Sequence, residues 1–164
     1  MVEHMITYLY SLKYPQGNRV LTNMAANLLF DAKMYAMADK YDLSSLKLQV
    51  KRAFAMPLDS DVQAALEYHL DTNWETGYKS SSELIADLAR IVYTNTPDSD
   101  RGLRDVIKKY TWIHKKMLAD RELQKCILET EGYTADVIQS LFEDATLNTF
   151  TSPPQKKPRG ADRW

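Results

Sequence analysis

The residues of this sequence that could perform chemistry do not form a catalytic or metal-binding pattern. The phosphate-binding motifs G-x-x-x-x-G-K-S/T and G-x-G-x-x-G are absent, as are the zinc-protease motif H-E-x-x-H and the nucleophile motif G-x-S-x-G. The three histidines, His4, His69 and His114, lie far apart, and none has a second His or Cys at the spacing of helical metal ligands. The sequence therefore predicts no catalytic residue, no metal site and no cofactor.

Two reactive side chains have structural interpretations. His114 falls beside Leu103, Ile107 and Tyr110 on a helical wheel, which predicts a histidine at the edge of a hydrophobic core. Cys126 precedes Ile127 and Leu128, and we expect it to be a small buried hydrophobic residue rather than a nucleophile, since no base lies near it in sequence.

An unusual cluster surrounds Trp112, whose helix also carries Lys108, Lys109, Lys115 and Lys116. One interpretation is that a neighbouring segment covers the indole while the lysines remain in water on their long stems. The other is a partner-binding patch, because an exposed tryptophan beside cations is typical of an interface anchor. The basic run Lys156-Lys157-Pro158-Arg159 is compatible with a nuclear-import signal and also with chance.

Composition limits the classes of partner. The 164 residues include 21 Lys+Arg and 22 Asp+Glu, for a formal charge of -1, which excludes a globally basic nucleic-acid binder. A single cysteine excludes an intrachain disulfide and favours a reducing compartment. The first residues lack a basic signal-peptide start, and no stretch approaches the ~20 apolar residues of a bilayer span. We therefore expect an intracellular protein, nuclear or cytoplasmic, with no membrane partner.

Helices must position whatever site exists, because five glycines are few for a many-stranded protein. Apolar periodicity predicts helices over residues 2–13, 24–41, 43–56, 61–70, 80–95, 101–117, 120–130 and 135–147. The predicted capping residues are Asp42, Ser80 with Glu83, one of Asp98, Ser99 and Asp100, and Thr134. The first helix carries an apolar stripe of Val2, Met5, Ile6 and Leu9, which needs a surface to lie against.

Several segments carry a family resemblance. The order Tyr8-Leu9-Tyr10-Ser11, followed by AKMYAMADKYDLSSLK at residues 32–47, resembles the second half of a BTB/POZ domain of the fungal type. Val92-Tyr93, Asn95-Thr96-Pro97 and the run SDRGLRD at residues 99–105 resemble the helical extension of such proteins. The resemblance covers residues 2–54 for the domain itself and reaches more loosely toward residue 147.

The resemblance implies an organisation and a function. Residues 1–57 would be the C-terminal half of a BTB/POZ-like domain, residues 58–148 a helical extension and residues 149–164 a disordered tail. A full BTB/POZ domain is α+β, but its opening strands and helices are missing here, so we expect an all-α chain. Val2, Met5, Ile6 and Leu9 would then lack their usual cover, unless the extension repacks over them. If the extension does not repack over this helix, the chain would be a truncated product or come from an incomplete gene model.

The expected function is that of a non-catalytic protein-interaction module resembling a truncated BTB/POZ adaptor. Its implied partners are proteins, either another BTB/POZ protein or a cullin-type ligase scaffold. The cullin role is weakened because part of that contact surface comes from the missing segments, and homodimerisation stays open for the same reason. Candidate partner-binding residues are Val2, Met5, Ile6, Leu9, Trp112, Lys108, Lys109, Lys115 and Lys116. The alternative is a nuclear, nucleic-acid-associated regulator that uses the Lys/Trp patch and the basic tail, although direct nucleic-acid binding is the weaker expectation.

Overall fold

The computed structural model describes residues 2–14, 24–58 and 80–151, with side chains as far as Thr146. Within these ranges the chain is all-helical and contains no strand, as predicted. The α-helices are α1 (Val2–Ser11), α2 (Met24–Lys40), α3 (Ser44–Ala55), α4 (Ser81–Asn95), α5 (Gly102–Ile113), α6 (Arg121–Glu129) and α7 (Glu131–Thr151). Two 3-10 helices, Met56–Leu58 and Lys115–Ala119, follow α3 and α5. The helix predicted over residues 61–70 lies outside the described residues.

The predicted hairpin of α2 and α3 is confirmed, but its capping residue is not. Leu28, Ala32 and Tyr35 of α2 are buried against the α3 face that contains Leu46 and Val50. Asp42 does not cap α3, because it lies in the turn before the helix with a left-handed φ of 54°. The residue at the N-cap position is Leu43, whose side chain cannot accept a hydrogen bond from the first helical turn. Aspartate tolerates a positive φ better than a bulky residue does, so Asp42 serves to form the turn between α2 and α3.

The predicted start of α4 is confirmed. The Ser80 hydroxyl accepts a hydrogen bond from the Glu83 backbone amide at 3.2 Å, and the helix ends at Asn95, just before Thr96 and Pro97. The Ser side chain satisfies one of the backbone amides that the first helical turn leaves without a partner.

Three other predicted boundaries are wrong. The helix predicted to run to residue 117 ends at Ile113, because His114 leaves the helical conformation with φ -105° and ψ 41°. Gly132 and Thr134 do not precede α7, which begins at Glu131. Thr134 instead donates its hydroxyl hydrogen to the carbonyls of Ile127 and Thr130, where it caps the end of α6. The predicted tail began at residue 149, but α7 continues to Thr151; residues 152–164 lie outside the described part of the chain.

One hydrophobic core joins the predicted half-domain to the predicted extension. Helix α2 packs on α4 and α3 packs on α5, while α4 also contacts α6 and α7. The buried side chains form one cluster that runs from Phe54 and Leu46 to Leu88, Ile107 and Tyr133. The described helices are all too short or too polar to cross a bilayer.

Candidate interaction surface

An apolar surface on α1 is open to solvent. Val2, Ile6 and Leu9 are 58%, 45% and 50% exposed, and Met5 is half-buried. Tyr10 and Leu12, at the C-terminal end of α1 and just after it, add further exposed apolar area, with 89% and 70% of their surface exposed. The described residues of the predicted extension leave Val2, Ile6 and Leu9 exposed. We call the set Val2, Ile6, Leu9, Tyr10 and Leu12 the α1 surface.

The opposite side of α1 attaches it to the core. Tyr8 is buried among the core residues, and the His4 ring meets Phe30 of α2 edge-on, with 5.0 Å between ring centroids. The stripe of Val2, Met5, Ile6 and Leu9 was predicted to be the buried side of α1. That prediction is wrong, because Tyr8 supplies the main buried side chain of this helix.

A polar anchor follows α1. The Tyr14 hydroxyl donates to Asp31 Oδ1 at 2.5 Å, and both side chains are buried. The Tyr14 backbone amide also donates to Gln49 Oε1 at 2.9 Å, so the end of this segment is tied to both α2 and α3. The sequence does not predict this anchor, since Tyr14 and Asp31 are 17 residues apart and no local pattern links them. The anchor holds the α1 surface at a fixed place on the protein.

The Lys/Trp patch is partly neutralised by α7. Lys115 Nζ lies 3.2 Å from Asp144 Oδ2, and Lys108 Nζ lies 3.9 Å from Glu143 Oε1. Trp112 is half-buried, and the Lys115 ammonium lies 5.3 Å from its ring centroid, within the range of a cation–π contact. The structure therefore brings Lys108, Trp112 and Lys115 to one part of the surface, but it places a carboxylate beside each of the two lysines.

The other two lysines of the patch are exposed. Lys109 and Lys116 form no ion pair with any of the described residues. They are the positive groups of the patch that a polyanion would still meet. Lys109 lies on α5 and Lys116 in the 3-10 helix that follows it, and two exposed cations produce a weak field at physiological salt.

The reactive side chains considered above are structural in this fold. The His114 ring lies against Tyr110 at 4.5 Å between centroids, at the edge of the core as predicted. Cys126 is buried, as predicted, and its thiol contacts the Ala86 carbonyl oxygen at 3.2 Å. Burial raises the pKa of that thiol, which makes it a poor nucleophile. Within the described ranges, no group of three or more His, Cys, Asp or Glu side chains is placed to hold a metal ion.

A charged cluster joins the α2–α3 hairpin to the segment that begins α5. Lys47 Nζ lies 2.5 Å from Asp39 Oδ1 and 2.8 Å from Asp100 Oδ2. Asp100 Oδ1 accepts hydrogen bonds from the Tyr35 hydroxyl and from the Gly102 backbone amide, both at 2.9 Å. Asp100 thus satisfies an amide at the start of α5, but the residue at the cap position is Arg101, so none of the predicted caps Asp98, Ser99 and Asp100 occupies it.

The cluster shifts the titration of its members. Partial burial acts to raise the pKa of Asp100, but hydrogen bonds from Lys47, Gly102 and Tyr35 outweigh it, and the net pKa is lowered. Burial and the hydrogen bond to Asp100 raise the pKa of the Tyr35 hydroxyl. Burial acts to lower the pKa of Lys47, whereas its two carboxylate partners raise it, and they prevail. All three pKa shifts favour the forms present at neutral pH: an ionised Asp100, a protonated Lys47 and a neutral Tyr35.

The SDRGLRD run has a structural role as well. Arg104 is buried, and its guanidinium donates to the backbone carbonyls of Tyr93 and Thr96 at 3.2 and 2.5 Å. Arg101 Nη2 reaches the buried carboxylate of Asp136 at 3.0 Å, which also accepts from the Tyr93 hydroxyl at 2.5 Å. These contacts connect the end of α4 to α5 and α7. They account for the residue types of this run without any ligand.

No protein-family model matches this chain, and comparisons with curated proteins and with solved structures also find no match.

Proposed function

We propose that this protein is a non-catalytic protein-interaction module that binds a partner protein through the α1 surface. The observation that carries the proposal is the exposure of Val2, Ile6 and Leu9 on a helix whose other side is fixed to the core by Tyr8. Clustered apolar side chains on one exposed helix face are typical of protein-binding surfaces, whereas single exposed ones are ordinary.

The chemistry of the α1 surface defines the partner. The surface is apolar at its centre, and the exposed residues Glu3 and Lys13 lie near its two ends. A complementary partner therefore presents an apolar patch with a polar rim. In the BTB/POZ family that this chain resembles, the corresponding helix lies under the sheet, so a partner that offers an apolar sheet surface, such as another BTB/POZ protein, fits best. A cullin-type ligase scaffold is the second candidate partner.

Binding to nucleic acid through the Lys/Trp patch is the alternative. Glu143 and Asp144 lie beside Lys108 and Lys115, which reduces the positive potential around Trp112. Half-burial of Trp112 also reduces the ring surface on which a base could stack. For both reasons we favour the protein partner. Affinity for DNA or RNA that falls steeply with salt would instead support the alternative.

The test is a comparison of partners recovered from cells by the wild-type chain and by the double variant Ile6→Glu with Leu9→Glu. We expect the variant to lose the specific protein partners, because two carboxylates would be desolvated in an apolar interface. Leu128→Glu is the matched control: Leu128 is 81% exposed on α6, away from α1, and should keep every partner.

Stability measurements separate loss of binding from loss of folding. Ile6 and Leu9 are exposed, so the double variant should unfold within about 0.5 kcal/mol of the wild type. If the folded double variant recovers the same partners in the same amounts as the wild type, the α1 surface is not the binding site.

A further inference from the structure

A second surface lies between α2 and α4, away from α1. Ala36 and Met37 of α2 and Ile91 of α4 form the apolar floor of an open groove of about 450 Å³, which Asn95 closes at one end. All three floor side chains are half-buried, so each still offers apolar surface to a ligand. No local sequence pattern predicts this groove, since its two walls are more than 50 residues apart in the chain.

Two lysines line this groove. Lys33 and Lys40 are both exposed and lie seven residues apart on α2, which places them on the same helix face about 10 Å apart along the axis. Neither pairs with a carboxylate among the described residues. The apolar floor therefore has an exposed cation near each end of its α2 side.

We propose that this groove binds an amphipathic helix of a partner protein that carries carboxylates two turns apart beside an apolar stripe. The stripe would cover Ala36, Met37 and Ile91, and the carboxylates would meet Lys33 and Lys40. An apolar groove beside regularly spaced cations matches the way in which amphipathic helices dock into grooves on helical proteins. Because Lys33 and Lys40 are positively charged, the side chains of the partner that face them should be negatively charged.

The shape of the groove favours a peptide over a small molecule. Small-ligand sites are clefts that bury most of the ligand's surface, whereas this groove is open along α2. The spacing of the two lysines matches the repeat of an α-helix, in which residues seven apart lie on one face. An extended strand would place every second side chain on the groove and would not reproduce that repeat.

The probe is a phage-displayed library of random helical peptides selected on the full chain. We expect enriched peptides to carry Asp or Glu two turns apart with large apolar residues between them. The selected peptides are then titrated by fluorescence anisotropy against the double variant Lys33→Glu with Lys40→Glu. Reversing both charges should weaken binding at least about tenfold, because like charges face each other across the groove.

Lys109→Glu with Lys116→Glu is the matched control. It reverses two exposed lysines that are also seven residues apart in the sequence, one on α5 and the other in the 3-10 helix that follows it, and it should leave the peptide affinity unchanged. Peptides in which lysines replace the selected carboxylates should regain affinity for the Lys33→Glu, Lys40→Glu variant. The Ile6→Glu, Leu9→Glu variant should bind the acidic peptides normally, so this result does not depend on the function of the α1 surface.

Three results would overturn the proposal. The first is a selection that enriches no peptide, and the second is one that enriches peptides without paired acidic residues. The third is equal affinity of the acidic peptides for the wild type and for the correctly folded Lys33→Glu, Lys40→Glu variant.

Discussion

Replacing Arg104 by methionine is expected to destabilise the protein, although the carboxylate with which Arg104 forms its ion pair is exposed. Arg104 Nη1 lies 2.6 Å from Asp98 Oδ1, and the Asp98 side chain is 94% exposed. The same guanidinium donates through Nη2 to the carbonyls of Tyr93 and Thr96 and through Nε to the Thr96 hydroxyl oxygen. Methionine keeps much of the apolar stem and removes these donors.

The magnitude follows from the acceptors that would lose their donors. The carbonyls of Tyr93 and Thr96 lie where α4 ends, in a part of the chain that is itself buried. An unsatisfied buried polar group costs roughly 1–3 kcal/mol, so loss of both bonds should lower the free energy of unfolding by about 3 kcal/mol. The Asp98 partner of this ion pair is in water, which screens the interaction even though Arg104 is buried, so Asp98→Ala should cost about 1 kcal/mol, the upper end of the range for solvated pairs.

Urea titration followed by circular dichroism measures both variants. We expect the free energy of unfolding to fall much more for Arg104→Met than for Asp98→Ala. The slope of this free energy against urea concentration should be the same as in the wild type for both variants. Equal losses for the two variants would mean that the ion pair, rather than the capping of the α4 carbonyls, stabilises this corner. A loss below about 1 kcal/mol for Arg104→Met would refute the reasoning on buried carbonyls.

Three further predictions concern the anchors of the fold. Gly102→Ala should cost about 1–3 kcal/mol in urea titration, because a Cβ atom at this position would overlap the Tyr35 hydroxyl; wild-type stability would show that Tyr35 moves aside freely. Tyr14→Phe should cost about 1.5–3 kcal/mol through loss of the hydrogen bond to the buried Asp31 carboxylate, and it should accelerate amide hydrogen exchange in α1 more than in α6. The stability difference between the wild type and Asp100→Asn should hold from pH 7 to about 5 and narrow as the pH falls below about 4 and through the lowered pKa of Asp100, since the carboxylate stabilises the fold only while it is ionised. A difference that stays constant over this pH range would contradict the assignment of the shift to Asp100.

The helices were predictable from the sequence because their apolar spacing is a local property. Ile107 and Tyr110 recur at helical intervals, and Ser80 lies at a capping distance from Glu83. The ends were harder to predict, since an Asp or Thr near a boundary can serve more than one backbone group. Asp42 adopts the turn conformation itself, and Thr134 caps the helix behind it rather than the one ahead.

The candidate site was only partly predictable, because exposure depends on tertiary contacts. Whether the stripe on α1 has a cover was left open by the sequence, and Tyr8 was not recognised as the buried anchor of this helix. The pairing of Lys115 with Asp144 spans 29 residues of sequence, and no local pattern indicates it. The groove beside Lys33 and Lys40 depends on Ile91 of a different helix, so α2 alone showed only a solvated face.

The most direct test of the central claim is site-specific photo-crosslinking in cells. A photoreactive phenylalanine analogue is placed at Ile6, and a second chain carries it at Leu128 as the exposed apolar control. Interaction through the α1 surface predicts a discrete crosslinked protein at Ile6 that is absent from the Leu128 chain and disappears when Leu9→Glu is added. Crosslinking at Ile6 that is no greater than at Leu128, or that is unaffected by Leu9→Glu, would contradict the proposal that this surface binds a protein partner.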